Sequence, residues 1–301
     1  MILCAGEALI DMLPRTSTEG EDAFAPVAGG SVFNTAIALG RLGQDVAMFT
    51  GLSSDLFGDI LKDTLAASHV DATPAAVSDR PTTLAFVKLT DGHAEYAFYD
   101  ENTAGRMLTT GDLPSVTADA LFFGGISLVV EPCGAAYEAL MLREAPQRLA
   151  MMDPNIRPGF ITDEAAYRAR LGRMMAVADI IKTSDEDLDW IAPGAEAASL
   201  LDGTDTQIVL LTRGAEGITI VTRDGSFDVP ARKATVVDTV GAGDTFSAGF
   251  MAGLSEAGHL SKATLGHADR EALTAASELG AKAAAITVGR AGANPPWRKE
   301  L

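Results

Sequence analysis

The run Asp238-Thr-Val-Gly-Ala-Gly-Asp-Thr-Phe246 sets two acidic residues and two glycines just ahead of a stretch of small and apolar residues, Ser247 to Leu254. Gly241 and Gly243 let the backbone turn tightly into a helix whose first N–H groups converge on one point, a position suited to phosphate charge. Asp244 opens that helix, where the dipole keeps its carboxylate ionised and able to accept a proton or a hydrogen bond from an attacking hydroxyl. The same residue would serve equally as a plain N-cap. A dinucleotide fingerprint fits less well, because GxGxxG requires glycine where Phe246 stands and the segment lies late in the chain.

A second group is Gly29-Gly30-Ser-Val-Phe-Asn34, running into a helix over Thr35–Gly43. Paired glycines allow a ligand to approach the backbone, and the Asn34 amide carries both donors and an acceptor for sugar hydroxyls; a helix-entry turn is the alternative. Asp11, expected at the carboxyl end of the first strand, could accept from two hydroxyls or be an ordinary loop aspartate. Lys182-Thr-Ser-Asp-Glu-Asp187 and Thr212-Arg-Gly-Ala-Glu-Gly217 follow two later strands. The first could order Mg²⁺ through water, or form a helix start with Ser184 as N-cap and Asp187 in the capping-box position. Neither a P-loop nor the paired His-Arg-Asp and Asp-Phe-Gly motifs of protein kinases occurs.

Such residues need strands that end at one edge. Short apolar runs do alternate with helical stretches: Ile2–Glu7, Val46–Leu52, Ala120–Gly124, Leu149–Asp153, Asp179–Lys182 and Ile208–Arg213 read as strands. Phe57–Ser68, Pro132–Arg143, Glu164–Ala176, Asp244–Glu256 and Arg270–Ala285 read as helices, and together they predict a parallel sheet covered by helices. Ligands then sit at the carboxyl ends of the strands. Thr83–Tyr99 breaks the alternation with two period-2 runs about Asp91-Gly92, an antiparallel hairpin that is either a sheet extension or a lid. A second hairpin, Ile218–Val221 and Ser226–Val229, reads as a sheet edge.

With 301 residues, 47% hydrophobic and 21% charged, the chain can bury a sizeable core. Its 23 basic and 41 acidic residues give a net charge of −18, which disfavours nucleic-acid and membrane-surface roles. Cys4 and Cys133 lie in no CxxC or Cys/His cluster, so reduced thiols and a cytoplasmic setting are expected. The first residues lack a basic region and carry Glu7 and Asp11 within the apolar stretch, unlike a signal peptide. No apolar run approaches the ~18 residues of a membrane span.

With both signatures present in order, the early Gly-Gly-x-x-x-Asn stretch running to Gly58 and the late Asp238-Thr-x-Gly-Ala-Gly-Asp244, the sequence resembles the ribokinase-like, PfkB-type carbohydrate kinases. The resemblance extends from Gly6-Glu7 to Gly292-Ala-Asn-Pro-Pro-Trp297 and is nearest to fructokinase-type members. It implies a doubly wound α/β fold, one domain over residues 1–301, with a mainly parallel sheet flanked by helices and a small β lid from parts of 11–30 and 83–100. It implies transfer of the γ-phosphate of ATP to a primary hydroxyl of a neutral sugar, fructose foremost. The alternatives are 2-keto-3-deoxygluconate, ribose or a nucleoside, or a catalytically silent binding protein, against which the intact Asp244 and glycines speak.

The roles it implies are residue by residue. Gly241, Ala242 and Gly243 match the anion hole and Asp244 the catalytic base; Asp11, Gly29, Gly30, Asn34 and Arg157 match substrate contacts. Lys182, Ser184, Thr212, Gly214 and Gly217 match the nucleotide side. Cofactors would be ATP, Mg²⁺ and a monovalent cation such as K⁺ near Asp238, Val240, Thr287, Arg290 and Gly292. The family's Asn-x-x-Glu stands here as Ser184-Asp-Glu-Asp187. Ala85 and Asp100 occupy the places where sugar-acid kinases carry an aromatic and an arginine, and Asp100 with Glu101 would repel a substrate carboxylate. The apolar face of the hairpin needs a cover, which points to a homodimer.

Overall fold

The computed structural model describes residues 1–90 and 93–301; the expected Asp91-Gly92 turn lies outside the described residues. In chain order the first strands are β1 (Ile2–Ala5), β2 (Leu9–Thr16), β3 (Asp22–Gly29), β4 (Val46–Phe49), β5 (Gly51–Ser53), β6 (Val70–Asp71) and β7 (Ala76–Ser78). They continue with β8 (Leu84–Thr90), β9 (His93–Tyr99), β10 (Ala120–Gly124), β11 (Leu149–Asp153), β12 (Ile180–Ser184), β13 (Ile208–Thr212), β14 (Ile218–Thr222) and β15 (Gly225–Val229). The helices are α1 (Ser31–Arg41), α2 (Leu56–Ala67), α3 (Cys133–Glu144), α4 (Glu164–Val177), α5 (Asp185–Ile191), α6 (Ala242–Glu256) and α7 (Arg270–Val288).

The central sheet has the order β15-β14-β13-β12-β11-β10-β1-β4-β6, parallel from β13 through β6 and antiparallel only at β14 and β15. Its strands are continuous apolar runs such as Leu149-Ala-Met-Met and Ala120-Leu-Phe-Phe, buried on both faces because helices cover both. Side chains of α1, α6 and α7 build one core with Cys4, Met48 and Phe122. Those of α3 and α4 build the other with Leu3, Phe123 and Met152. This is the mainly parallel, helix-flanked α/β sheet that the alternation predicts.

The order of the strands turns at β1, with β10 on one side and β4 on the other, and this is where such sheets open a crevice at their carboxyl ends. Three expected boundaries move there. The first strand ends at Ala5, not Glu7, because the Glu7 side chain is drawn inward to accept N–H groups of Ser31 and Ser127. Asp11 therefore does not end the first strand; it stands inside β2, in a different sheet. The expected strand Val46–Leu52 breaks at Thr50, whose carbonyl accepts from Ala76 N, and its second half pairs with β7.

That different sheet has four strands, β3-β2-β8-β9, and shares no ladder with the central one among the described residues. Thr83–Tyr99 thus pairs with β2 through β8, Asp11 lying opposite Ala85. The hairpin Ile218–Thr222 and Gly225–Val229 forms the edge of the central sheet, as its sequence predicts.

Candidate active site

Gly241 takes the left-handed conformation, φ 76°, that starts α6, and a Cβ there would meet Ala293 Cβ at 2.6 Å. The helix begins two residues earlier than expected, so Asp244 is in its first turn and Gly241 is the N-cap. The N-cap alternative for Asp244 is thereby overturned: its carboxylate caps nothing and instead faces α1. Oδ1 accepts from Ser31 Oγ at 2.7 Å and Oδ2 from Asn34 Nδ2 at 2.9 Å. The helix expected over Thr35–Gly43 starts at Ser31, which puts Asn34 in the same first turn as Ser31 and on the same side of α1. Ala242 N reaches Thr239 O, and among the described residues the N–H groups of Gly243 and Asp244 have no acceptor. Two donors and a helix N-terminus thus face one spot.

Lys182 closes that spot from β12. Its Nζ donates to Asp153 Oδ2 at 2.8 Å and would lie 3.0 Å from a Cβ on Gly243, so a buried cation stands beside the free N–H groups. Burial pushes the Asp153 carboxyl up, against the pull of the Lys182 charge. Burial works against the Lys182 charge, but the Asp153 carboxylate outweighs it and holds the ammonium above its usual range.

Opposite the helix, Asp11 reaches in from β2. Burial, with Asp244 as a second cause, pushes its carboxyl up to about 6. Asp244 is itself raised by burial, against the hydrogen bonds from Ser31 and Asn34 and the charge of Lys182. The cavity between these groups holds about 340 Å³ and is lined by Asp11, Gly30, Asn34, Arg157, Lys182, Val240, Gly241, Gly243 and Asp244 among others. Tyr96 and Phe98 of β9 and Leu9 of β2 supply apolar walls.

Residues 1–300 match the pfkB family carbohydrate kinase model. The chain belongs to the PfkB family of carbohydrate kinases. It is a sugar phosphotransferase. It is 56% identical over 279 residues to a fructokinase of Rhizobium leguminosarum bv. trifolii, covering 91% of this chain and 85% of the relative. An ATP-bound fructokinase of Xylella fastidiosa, 30% identical, superposes with a TM-score of 0.89 over 97% of this chain and 93% of its own. The fold is also that of the Vibrio cholerae O395 fructokinase bound to fructose, ADP and calcium, with TM-score 0.85, 23% identity and coverage of 97% and 94%.

Other expected site residues of this PfkB kinase lie outside the cavity. Gly29 is behind Asp11, where a Cβ would meet Asp11 Oδ2 at 2.2 Å. Ser184 accepts from Asp187 N at 3.0 Å as the N-cap of α5, while Asp187 Oδ1 accepts from Ile156 N, so the reciprocal half of a capping box is absent. Thr212 lies beside Ser184 across the β12–β13 ladder, and Gly214 and Gly217 bound the 3₁₀ turn that follows. Asp238 accepts from Val240 N and Gly292 N, which ties the two loops together. The side chains of Thr287 and Arg290 turn elsewhere, to Thr245 and to Glu300.

Asp100 corrects an expectation. Both of its carboxylate oxygens accept from Arg106 Nη1 at 3.1 Å, and the residue does not line the cavity, so its charge is offset by Arg106 rather than presented bare to a bound acid. Residues that the sequence reading left out are Glu7, Ser31 and Asn155, all lining the cavity. Glu7 follows Gly6, Ser31 lies inside the Gly29–Asn34 group, and Asn155 stands two residues before Arg157; their partners, far off in sequence, carried the missing signal.

Proposed function

We propose that this PfkB kinase transfers the γ-phosphate of ATP to a primary hydroxyl of a neutral ketose, D-fructose foremost, with Asp244 as the base. The observation that carries this reading is the convergence, in one cavity, of Asp11, Asn34 and Asp244 with the Lys182 ammonium and the α6 N-terminus, whose N–H groups of Gly243 and Asp244 are free among the described residues. Asp11 and Asn34 suit vicinal hydroxyls, and Asp244 then receives the proton of the hydroxyl nearest the α6 N-terminus. The N–H groups of Gly243 and Asp244, with Lys182, hold the phosphoryl charge where it shifts during transfer.

Mg²⁺ bound with ATP would neutralise phosphate charge. The Asp153 carboxylate, whose Oδ1 is buried without a partner, and the acidic start of α5 offer the hard oxygen donors that such a cation takes through water. A K⁺ ion would take backbone carbonyls of the loops that Asp238 joins, since the Thr287 and Arg290 side chains are committed elsewhere. Thr212, Gly214 and Gly217, on the strand next to Ser184, fit the nucleotide side. Parts of residues 11–30 and 83–100 act as a lid over the sugar. Phe24 and Tyr99, 49% and 63% exposed on the four-stranded sheet, favour a homodimer through that sheet. The unpaired buried thiols of Cys4 and Cys133 suit the cytoplasm.

A second reading, a sugar-acid kinase, is favoured by Arg157 in the cavity wall and by the neutralisation of Asp100. An ADP-release assay with ATP–Mg²⁺ over neutral sugars, sugar acids and nucleosides tests both. D-Fructose is expected to give the highest kcat/KM. A higher value for a sugar acid overturns the substrate, and no turnover with any acceptor overturns the enzyme reading.

A further inference from the structure

The Asn155 side-chain amide donates to Ser31 Oγ at 2.6 Å, and Ser31 Oγ lies 2.7 Å from Asp244 Oδ1. A hydroxyl has one proton to give. Because the Asn155 N–H points at the Ser31 oxygen, that proton is sent to Asp244, and the chain of donors has a single direction. With the Asn155 amide reversed, its oxygen would take the hydroxyl proton and leave two oxygens 2.7 Å apart with no proton between them. Asn155 pays for its place with a left-handed backbone, φ 44°, a conformation that Asn tolerates better than most residues. The turn it makes also sends Asp153 to Lys182 and delivers Ile156 N to Asp187. Ser31, in turn, has its backbone N–H held by Glu7 Oε1 at 2.9 Å, so the hydroxyl starts from a fixed point.

We propose that Asn155 and Ser31 form a one-way hydrogen-bond relay that holds the Asp244 carboxylate oriented and anionic for the acceptor hydroxyl. They are positioning residues, acting through Asp244, and the inference rests on the reading of Asp244 as the base. Asp244 is buried, which favours its neutral form, and every donor removed from it moves it further that way. The titratable groups around it are Glu7, Asp11, Tyr96, Asp153, Arg157 and Lys182, of which Lys182 supplies the compensating positive charge and Glu7 opposes it. The first turn of α1 carries no acidic or basic side chain, and among the described residues Ser31 and Asn34 are the side chains of α1 that donate to the Asp244 carboxylate.

The test is the pH profile of kcat, with ATP–Mg²⁺ and the best acceptor of the panel, both saturating. Ser31→Ala is expected to move the acid limb to higher pH by about one unit, since a donor to a buried carboxylate is lost. Asn155→Gly keeps the left-handed turn and removes the amide, and should shift the limb the same way by about half as much. In the Ser31→Ala background it should add nothing, because the relay is already cut. Ser31→Thr, which retains the hydroxyl, should keep the wild-type limb. A purely structural role would lower the melting temperature or raise KM and leave the limb where it is. An acid limb within about 0.2 unit of wild type in Ser31→Ala, or a full Asn155→Gly shift persisting without Ser31, overturns the relay. If Ser31→Ala does not fold, Asn155→Gly and Ser31→Thr decide, an unmoved limb in the former counting against it. Asp244→Asn measured alongside separates the two ideas: near-wild-type turnover there removes the base itself, whereas a dead Asp244→Asn with an unmoved Ser31→Ala limb removes only the relay.

Discussion

Lys182 and Asp153 form a buried ion pair, Nζ to Oδ2 at 2.8 Å, whose second carboxylate oxygen, Oδ1, has no hydrogen-bond partner. Lysine so placed serves two masters: it neutralises Asp153 and offers its charge to the α6 N-terminus. Lys182→Met is expected to lower kcat by roughly two to three orders of magnitude, the range for losing a preorganised charge. It should also destabilise the fold by about 3–5 kcal/mol, because Asp153 is left buried and unpaired. Adding Asp153→Asn should recover most of the melting temperature and none of the rate. Recovery of both, measured by calorimetry and steady-state kinetics, would mean that the pair is only structural.

On the proposed reading of Asp244 as the base, Asp244→Asn removes the proton acceptor while keeping size. Turnover should fall by about two to four orders of magnitude, the usual contribution of a general base. The amide sets its NH₂ against Asn34 Nδ2 or the Ser31 hydroxyl, both of which donate in the wild type, so a stability loss of about 1–3 kcal/mol should accompany it. A folded Asp244→Asn protein with near-wild-type kcat would exclude the base assignment.

Gly243→Ala separates the phosphate seat from the helix that makes it. An added methyl would sit 3.0 Å from Lys182 Nζ, on the side of the free N–H groups. Alanine is the better helix residue by at most about 1 kcal/mol, which offsets part of the cost of displacing the Lys182 ammonium, so the melting temperature should change little. Activity should nevertheless drop at least about tenfold, with the loss in ATP kcat/KM. Full activity would show that phosphate does not approach this face.

Asp11, proposed as an acceptor-binding residue, should also make stability depend on pH. Its folded value of about 6 lies above the ordinary carboxylate range, so the native state holds this proton more tightly than the unfolded chain does. The native state is therefore favoured most below pH ~4 with respect to this group, and that advantage is lost as pH rises through about 6. Asp11→Asn should raise unligated stability above pH 6 by at most about 3 kcal/mol, less for the part of the side chain in water, and leave stability at pH 4 unchanged. KM for the sugar should rise roughly ten- to a hundredfold through the lost charged acceptor. Denaturant titrations at pH 4 and 7.5 check the first claim; equal stability changes at both would refute it.

Much of this was legible in the residues, and the pattern of what was not is physical. Apolar runs such as Ala120–Gly124 and Leu149–Asp153 specify their strands to the residue, because a strand buried on both faces has no polar position to blur its ends. Asp11 was misplaced because Leu9-Ile-Asp-Met-Leu is a strand of a second sheet, and nothing local distinguishes it from a loop at the end of the first. Asp244 does line the cavity, and its N-cap alternative falls only when Gly241 is seen to cap α6 and Ser31 and Asn34 to occupy its oxygens. Asp100 misled because its sign was visible and its Arg106 partner was not.

The two hydrogen bonds to Asp244 span 213 and 210 residues of sequence. On a ribosome, Ser31 and Asn34 therefore emerge long before the carboxylate they receive, and through most of synthesis α1 has no α6 to pack on. No nascent fragment can display the finished site, so ligand cannot rescue a stalled chain by binding it early. Closure over so long a loop is entropically costly and slow, and it waits for α6, which begins only at residue 242 of these 301. A lesion that shortens the chain before α6 leaves the apolar side of α1 bare, a surface for chaperones and proteases to find.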